Sequence, residues 1–240
     1  MYFILQDTDE IEIYQMEKLL VHSRQDTYIS TFDIYGISDY KLKDAIPVGD
    51  LDFVKTFLKR VYGSNEMPPI EIPSVLLHQD IVKRDYHFVM GKDIPKNGRY
   101  FIKDATELKN FSFNGDIDMI QGFIERDHNY VLSSIVEILS EYRVIVLNDK
   151  IQCIQYYDGN PVILPDAQFI QKVVNRYMTD NSRPKSYIAD FGVNSNLETF
   201  LIELQPSVSF GTYGYFAENL RYIYKLGLDY YINLIKDKEN

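Results

Sequence analysis

Two short apolar runs in the C-terminal third each carry one acid where an acid is costly. Residues 186–191 read SYIADF and residues 199–204 read TFLIEL, joined by the polar stretch GVNSNLE. Both have the length and composition of β-strands, so they read as a strand pair. Asp190 stands near the end of the first run and Glu203 near the end of the second, 13 residues later. Gln205 follows, on the same side of its strand as Glu203. A carboxylate inside an apolar strand is destabilising unless it is paired or bound to a cation. Two acids and an amide oxygen on neighbouring strands make an oxygen-only set of the kind that takes Mg²⁺ and bridges it to phosphates. Without a cation the two acids repel, and one should be reluctant to ionise. A solvated hairpin edge is the other reading of the same residues.

Composition narrows the partners. The chain has 240 residues, is 45% hydrophobic and 25% charged, and carries 25 Lys+Arg against 35 Asp+Glu, a net charge of −10. That balance opposes non-specific binding to nucleic acid and to anionic membranes. One cysteine, Cys153, excludes an intramolecular disulfide framework and a cysteine-based zinc site. The four histidines, His22, His78, His87 and His128, are too dispersed for a histidine metal centre. The start MYFILQDTDE has neither a basic segment nor a long apolar run, so a signal peptide is not expected. No apolar run approaches the roughly 18 residues of a membrane span. The expected location is cytoplasmic. Dinucleotide, P-loop, nucleophile-elbow and CxxC motifs are all missing.

Periodicity sets out the elements. A strand over Tyr2–Leu5 leads to a helix over 10–23 capped by Asp9. Residues 28–35 and 46–48 read as strands, and Asp50 caps a helix over 51–62 that Gly63 ends. The three prolines of 63–73 mark a linker and a boundary near 75. Strands are expected at 86–90, 99–103, 130–136, 142–147 and 151–157, and Asp166 caps a helix over 167–178. The last helix spans 215–236, interrupted near Gly227. Paired strands with helices between them suggest an α+β fold with antiparallel sheets.

Residues Ser186–Pro206 resemble the C-terminal signature of the ATP-grasp fold, in which an Asp on one strand and Glu-x-Asn on the next hold the magnesium of ATP. Ser133–Lys150 resembles that family's hinge strand followed by a Glu and the large-lobe hairpin, and Tyr100–Lys103 resembles its lysine strand. Five pieces in order resemble the ATP-grasp clade named for an arginine and two lysines. They are Pro47-Val48-Gly49, Pro68-Pro69, Phe101-Ile102-Lys103, Lys109 and Ser140-Glu141-Tyr142-Arg143-Val144. The resemblance implies an N-terminal α/β lobe at 1–75, a small central ATP-grasp lobe at 76–137 and a C-terminal lobe at 138–240.

The resemblance also implies roles. Lys103 would meet the α and β phosphates, with a solvated strand-end lysine as the plainer reading. Ser134, Ile135, Val136 and Glu137 would form the adenine hinge, Glu141 would accept from the ribose, and Arg84 would be the clade's arginine. Arg143 would reach the γ-phosphate or an anionic substrate, and Lys109 would be a second phosphate or substrate contact. Asp190, Glu203 and Gln205 would be the metal set. Gln205 stands where the family usually has Asn, Asp104 where Pro commonly follows the lysine, and the loop beyond Lys103 offers only Gly115 for a lid. The implied function is ATP- and Mg²⁺-dependent ligation of a carboxylate to an amine or thiol through an acylphosphate, with small-molecule or peptide substrates. No covalent enzyme nucleophile is needed. A kinase on the same fold and an inactive binding module remain as alternatives, and the oligomeric state is open.

Overall fold

The structure, a computed structural model, describes residues 1–239. It has two compact units. One comprises residues 1–66 with 184–187 and the segment from Pro206 onward; the other comprises 67–183 and 188–205. These units are drawn by compactness and place the C-terminal helix with the N-terminal sheet, a division different in kind from the three lobes.

The first unit is built on β1 (Tyr2–Gln6), β2 (Thr27–Thr31) and β3 (Ala45–Val48), in the order β2-β1-β3. Both pairings are parallel, where the strand pattern suggested antiparallel sheets and the resemblance an α/β lobe. Helix α1 (Ile11–Val21) supplies the crossover that a parallel β1–β2 pair needs. Its N-cap is Glu10, with no side-chain capping bond, so Asp9 does not cap it. A short helix, α2 (Asp39–Leu42), was not foreseen. Helix α3 (Leu51–Tyr62) follows its pattern: Asp50 accepts from the Phe53 N–H at 2.7 Å, and Gly63 takes the left-handed C-cap conformation at φ 78°. Phe53, Val54, Phe57 and Leu58 on its inner face are buried, as are Phe3, Ile4 and Leu5 of β1.

The second unit starts with α4 (Gln79–Val82), also unforeseen, and carries two sheets. The smaller has the order β4-β7-β5-β6, with β4 (Tyr86–Met90), β5 (Arg99–Asp104), β6 (Ser112–Asp116) and β7 (Asn129–Ser133), all antiparallel. Its core joins Ile102, Ile117, Tyr130 and Leu132. Strand β6 escaped the sequence reading because SFNGD is polar and holds a glycine. The strand expected at 130–136 ends at Ser133, leaving Ser134–Glu137 as irregular connection.

The larger sheet has the order β11-β10-β8-β9. It comprises β8 (Ile138–Leu147), β9 (Lys150–Gly159), β10 (Ser186–Asn194) and β11 (Thr199–Pro206). The β8–β9 hairpin turns through Asn148 and Asp149, both at positive φ, a conformation their short polar side chains tolerate. Helix α5 (Ala167–Tyr177) is capped by Asp166, which accepts from the N–H groups of Gln168 and Phe169. Every residue of β10 is buried, so Asp190 lies inside a fully covered strand.

Helix α6 (Leu220–Glu239) closes the first unit and runs through Gly227 without interruption. A Cβ at Gly227 would meet the Ser207 carbonyl oxygen at 2.3 Å, so the glycine serves close approach, and no break is needed. No helix among the described residues is long and apolar enough to cross a membrane.

Candidate active site

The candidate residues gather in the second unit. A cleft of about 300 Å³ is lined by Arg84, Lys103, Ser134, Ile135, Val136, Glu141 and Glu203 of the expected set. Tyr86, Asn114, Tyr157 and Phe200 also line it, and the sequence reading had not singled them out. An adjoining cavity of about 310 Å³ shares Phe101, Lys103 and Glu203 with the first and is walled by Lys109 and Gln205. Glu137 is exposed and lines neither. A larger cavity, about 640 Å³, lies in the first unit along Ile11, Tyr14, Lys18 and Leu19 and holds none of the candidates.

Lys103 reaches the cleft because β5 alternates. Ile102 points into the small-sheet core at 0% exposure, and the next side chain leaves on the other face. Its Nζ lies 2.8 Å from Glu203 Oε2. Burial alone would push the Lys103 amine down, but the adjacent Glu203 carboxylate holds it above its ordinary value. Burial alone would likewise raise the Glu203 carboxyl, and Lys103 keeps it below the usual range. The two groups are therefore both charged. Lys103 is no free strand-end lysine.

Arg143, expected to reach a phosphate or substrate, is buried and grips Asp190 with two bonds, Nε to Oδ1 at 2.9 Å and Nη2 to Oδ2 at 2.7 Å. Its guanidinium lies 5.4 Å from the Tyr157 ring centre. Asp190 is 1% exposed. Burial pushes its carboxyl up to about 6; Arg143 pulls the other way, and the charges of Glu203 and Glu141 add to the rise. Asp190 is thus the acid reluctant to ionise, but burial and not repulsion from Glu203 is the main cause.

Gln205 ties the two pairs together. Its amide nitrogen donates to Asp190 Oδ2 at 3.0 Å and also to Glu203 Oε1. A polarised N–H group therefore sits between two carboxylates, at the place where a cation would bring them together. The acids and the amide oxygen are of the type a hard cation takes, but here the Gln205 N–H group faces the acids, so its amide must turn over before the oxygen can join them as a ligand. The set has two acids; among the described residues no group of three or more His, Cys, Asp or Glu is placed to hold a metal.

The remaining candidates are partly committed. Arg84 donates to the carbonyls of Val82, Leu201 and Ile202, at 3.1, 2.7 and 2.5 Å. It lies within cation–π distance of the Tyr86 and Phe200 rings, at 5.4 and 5.6 Å. Its polar edge thus braces β11, and its stacked body faces the cleft. The Ser134 N–H is taken by the Asp85 carbonyl at 3.1 Å, and its hydroxyl accepts from the Asp85 N–H at 3.0 Å. Ile135 is 37% exposed. Glu141 accepts from the Tyr157 hydroxyl. Tyr157 was missed because one more tyrosine among 20 carries no signal until folding places it, at an irregularity in the β8–β9 pairing, against Glu141 and Arg143.

A small antiparallel sheet bearing a lysine, facing a larger sheet with acids on neighbouring strands, defines the class as ATP-grasp. Residues 76–223 match the model of an ATP-grasp domain, family 2 of the clade named for an arginine and two lysines, and the chain belongs to that family. Solved structures share the fold. D-alanyl-alanine synthetase A from Vibrio cholerae O1 biovar eltor str. N16961 aligns at TM-score 0.56 and 12% identity, over 98% of this chain and 97% of that one. A D-cycloserine synthetase aligns at 0.54 and 9%, over 98% and 99%. D-alanine–D-alanine ligase from Bacillus anthracis, complexed with ATP, aligns at 0.51 and 13%, over 100% and 98%. A comparison with curated protein sequences returns no match.

Proposed function

We propose that the protein is an ATP- and Mg²⁺-dependent ligase that joins a carboxylate to an amine or thiol. One observation carries the reading. Two cation–carboxylate pairs, Lys103–Glu203 and Arg143–Asp190, are joined through Gln205 beside a cleft whose wall is the 134–136 connection. Adenine would lie against that connection, with Ile135 and Val136 on its faces, and Glu141 would accept from the ribose. Lys103 would neutralise the phosphates, and Lys109 would reach them or the substrate from the adjoining cavity. Mg²⁺, held by Asp190, Glu203 and the Gln205 amide oxygen, would supply charge neutralisation at the phosphates.

The γ-phosphoryl group would pass to the substrate carboxylate, releasing ADP. The amine or thiol would then attack the acyl carbon of the acylphosphate, forming the new C–N or C–S bond, losing its proton and displacing inorganic phosphate. Such chemistry is mostly positioning and charge stabilisation, which agrees with a site built of ion pairs. Small-molecule or peptide substrates and a cytoplasmic setting belong to the same proposal, as do the three lobes at 1–75, 76–137 and 138–240.

Thermal unfolding with and without Mg·ATP tests it. At about 100 times Kd, a ligand of the native state adds roughly 2.7 kcal/mol, which is several degrees in a chain of this size. Lys103→Ala should weaken Mg·ATP binding tens-fold, through loss of a charge-assisted contact worth roughly 1.5–3 kcal/mol. A folded wild-type protein with no shift at millimolar Mg·ATP would overturn the nucleotide reading. Binding without turnover of any carboxylate and amine pair would favour the binding-module alternative.

A further inference from the structure

We propose that Asp104 is a positioning residue for the phosphate end of the nucleotide, fixing the glycine-free connection 105–111 before any ligand arrives. The inference rests on the nucleotide reading above and extends it to a residue that borders the adjoining cavity and not the cleft itself. The connection, ATELKNF, joins β5 to β6 directly after Lys103. Lys109, within it, and Phe111, at its end, wall the cavity that also contains Lys103, Glu203 and Gln205. A loop in that position must be ordered when phosphates bind, and whatever order it lacks beforehand is subtracted from affinity.

Asp104 supplies the order. The residue is 4% exposed. Oδ1 accepts from the Thr106 N–H at 2.7 Å, the Thr106 hydroxyl at 2.8 Å and the Glu107 N–H at 3.1 Å. Oδ2 accepts from the Asn110 amide at 2.7 Å, so one carboxylate holds both ends of the loop. His128, next to β7, adds a contact to Oδ1 at 2.8 Å. Main-chain bonds finish the frame: Asp104 N–H to the Phe111 carbonyl at 2.9 Å, Ala105 N–H to Asn129 at 3.1 Å, and Leu108 N–H to Met67 at 2.9 Å. Lys109 sits at φ 57°, a left-handed conformation that a non-glycine residue keeps only where its surroundings determine it. Burial would raise the Asp104 carboxyl, yet these donors hold it down at about 2, which makes it a permanent anion. Strand alternation sends Lys103 to the nucleotide side and Asp104 to this clamp. Ordering of the loop and placement of the phosphate lysine thus come from adjacent residues.

The test compares two ligands that share an adenine and differ in phosphates. Calorimetric titration of wild type and Asp104→Ala with Mg·ATP and with adenosine should show Mg·ATP affinity falling about tenfold, the cost of ordering a loop on binding. Adenosine affinity should stay within about twofold, since the hinge contacts are untouched. Amide hydrogen exchange at 106–110 should rise in the variant. Asp104→Asn, which keeps one acceptor oxygen, should fall between the two proteins. Should Asp104→Ala not fold, Asn110→Ala and His128→Ala each remove one clamp contact and should each weaken Mg·ATP selectively. Equal losses for both ligands would make Asp104 merely structural, and unchanged Mg·ATP affinity in the folded variants would refute the clamp. Wild-type protein that binds no Mg·ATP would instead overturn the nucleotide reading, and this inference with it.

Discussion

The small sheet around Asp104 and the large sheet around Asp190 each bury one aspartate almost completely, at 4% and 1% exposure, and leave them in opposite states. Asp104 receives four direct donors from its own loop, two of them main-chain N–H groups, with His128 beside it, and is held down at about 2. Asp190 receives an arginine fork and one amide, lies near Glu203 and Glu141, and is raised to about 6. Asp190 is packed more deeply among protein atoms, so burial raises it further, and its neighbours offset that rise less than the loop donors of Asp104 do. Oriented donors with no competing anion complete a structural acid. One arginine set against two further carboxylates, in a more deeply buried place, leaves Asp190 reluctant to ionise.

The largest effect on this contrast should come from Arg143→Ala. It strands Asp190 in the larger sheet, and breaking a buried pair costs about 3–5 kcal/mol. Denaturant unfolding should show that loss, and Asp190→Asn in the same background should recover part of it. An Arg143→Ala protein as stable as wild type would mean that Asp190 is not held by the fork.

Glu203→Gln sharpens the contrast next. Repulsion between the two acids, considered alone, favours an equally or more stable apo protein. The Lys103–Glu203 pair at 2.8 Å reverses that sign, because the substitution leaves a half-buried ammonium without its carboxylate. The expected result is a loss of roughly 1–3 kcal/mol in the absence of ligand, together with loss of magnesium-dependent turnover. A gain in apo stability would show that the acid–acid repulsion dominates.

The smallest effect is with pH. Asp104 has a depressed native value, so its contribution is present above its unfolded value near 3.8 and is lost as pH falls towards 2. Asp190 has a raised value and works the other way, favouring the folded state as it takes up a proton between about 6 and 3.8. Stability measured from pH 4 down to 2 should therefore fall less steeply in Asp104→Asn than in wild type. Parallel slopes would remove Asp104 as an anion clamped by its loop.

Much of this was legible in the chain. Helix α3 could be read from its period, from Asp50 and from Gly63, because all three signals are local. The strand pair with Asp190 and Glu203 was legible because apolar strands with an embedded acid are costly and therefore informative. Strand β6 was not, since a polar edge strand acquires its identity only by pairing with β5. The parallel first sheet was also missed, as parallel and antiparallel strands share the same local pattern and differ only in their partner. Gly227 reads locally as a break, but α6 continues through it because Ser207 approaches so closely that only glycine fits.

The sequence by itself determined which residue types could do chemistry here: one lysine strand, two acids in apolar strands, an amide two residues on, and no nucleophile set. Only the tertiary structure decided how the charges are shared. It paired Lys103 with Glu203, bound Arg143 to Asp190, put Gln205 between the acids, spent the donors of Arg84 on main-chain carbonyls, and gave the loop after Lys103 its anchor in Asp104. The reason is physical. Residue type and local period are properties of the chain, whereas the ionisation and partner of a buried group depend on atoms 100 or more residues away that arrive together only on folding.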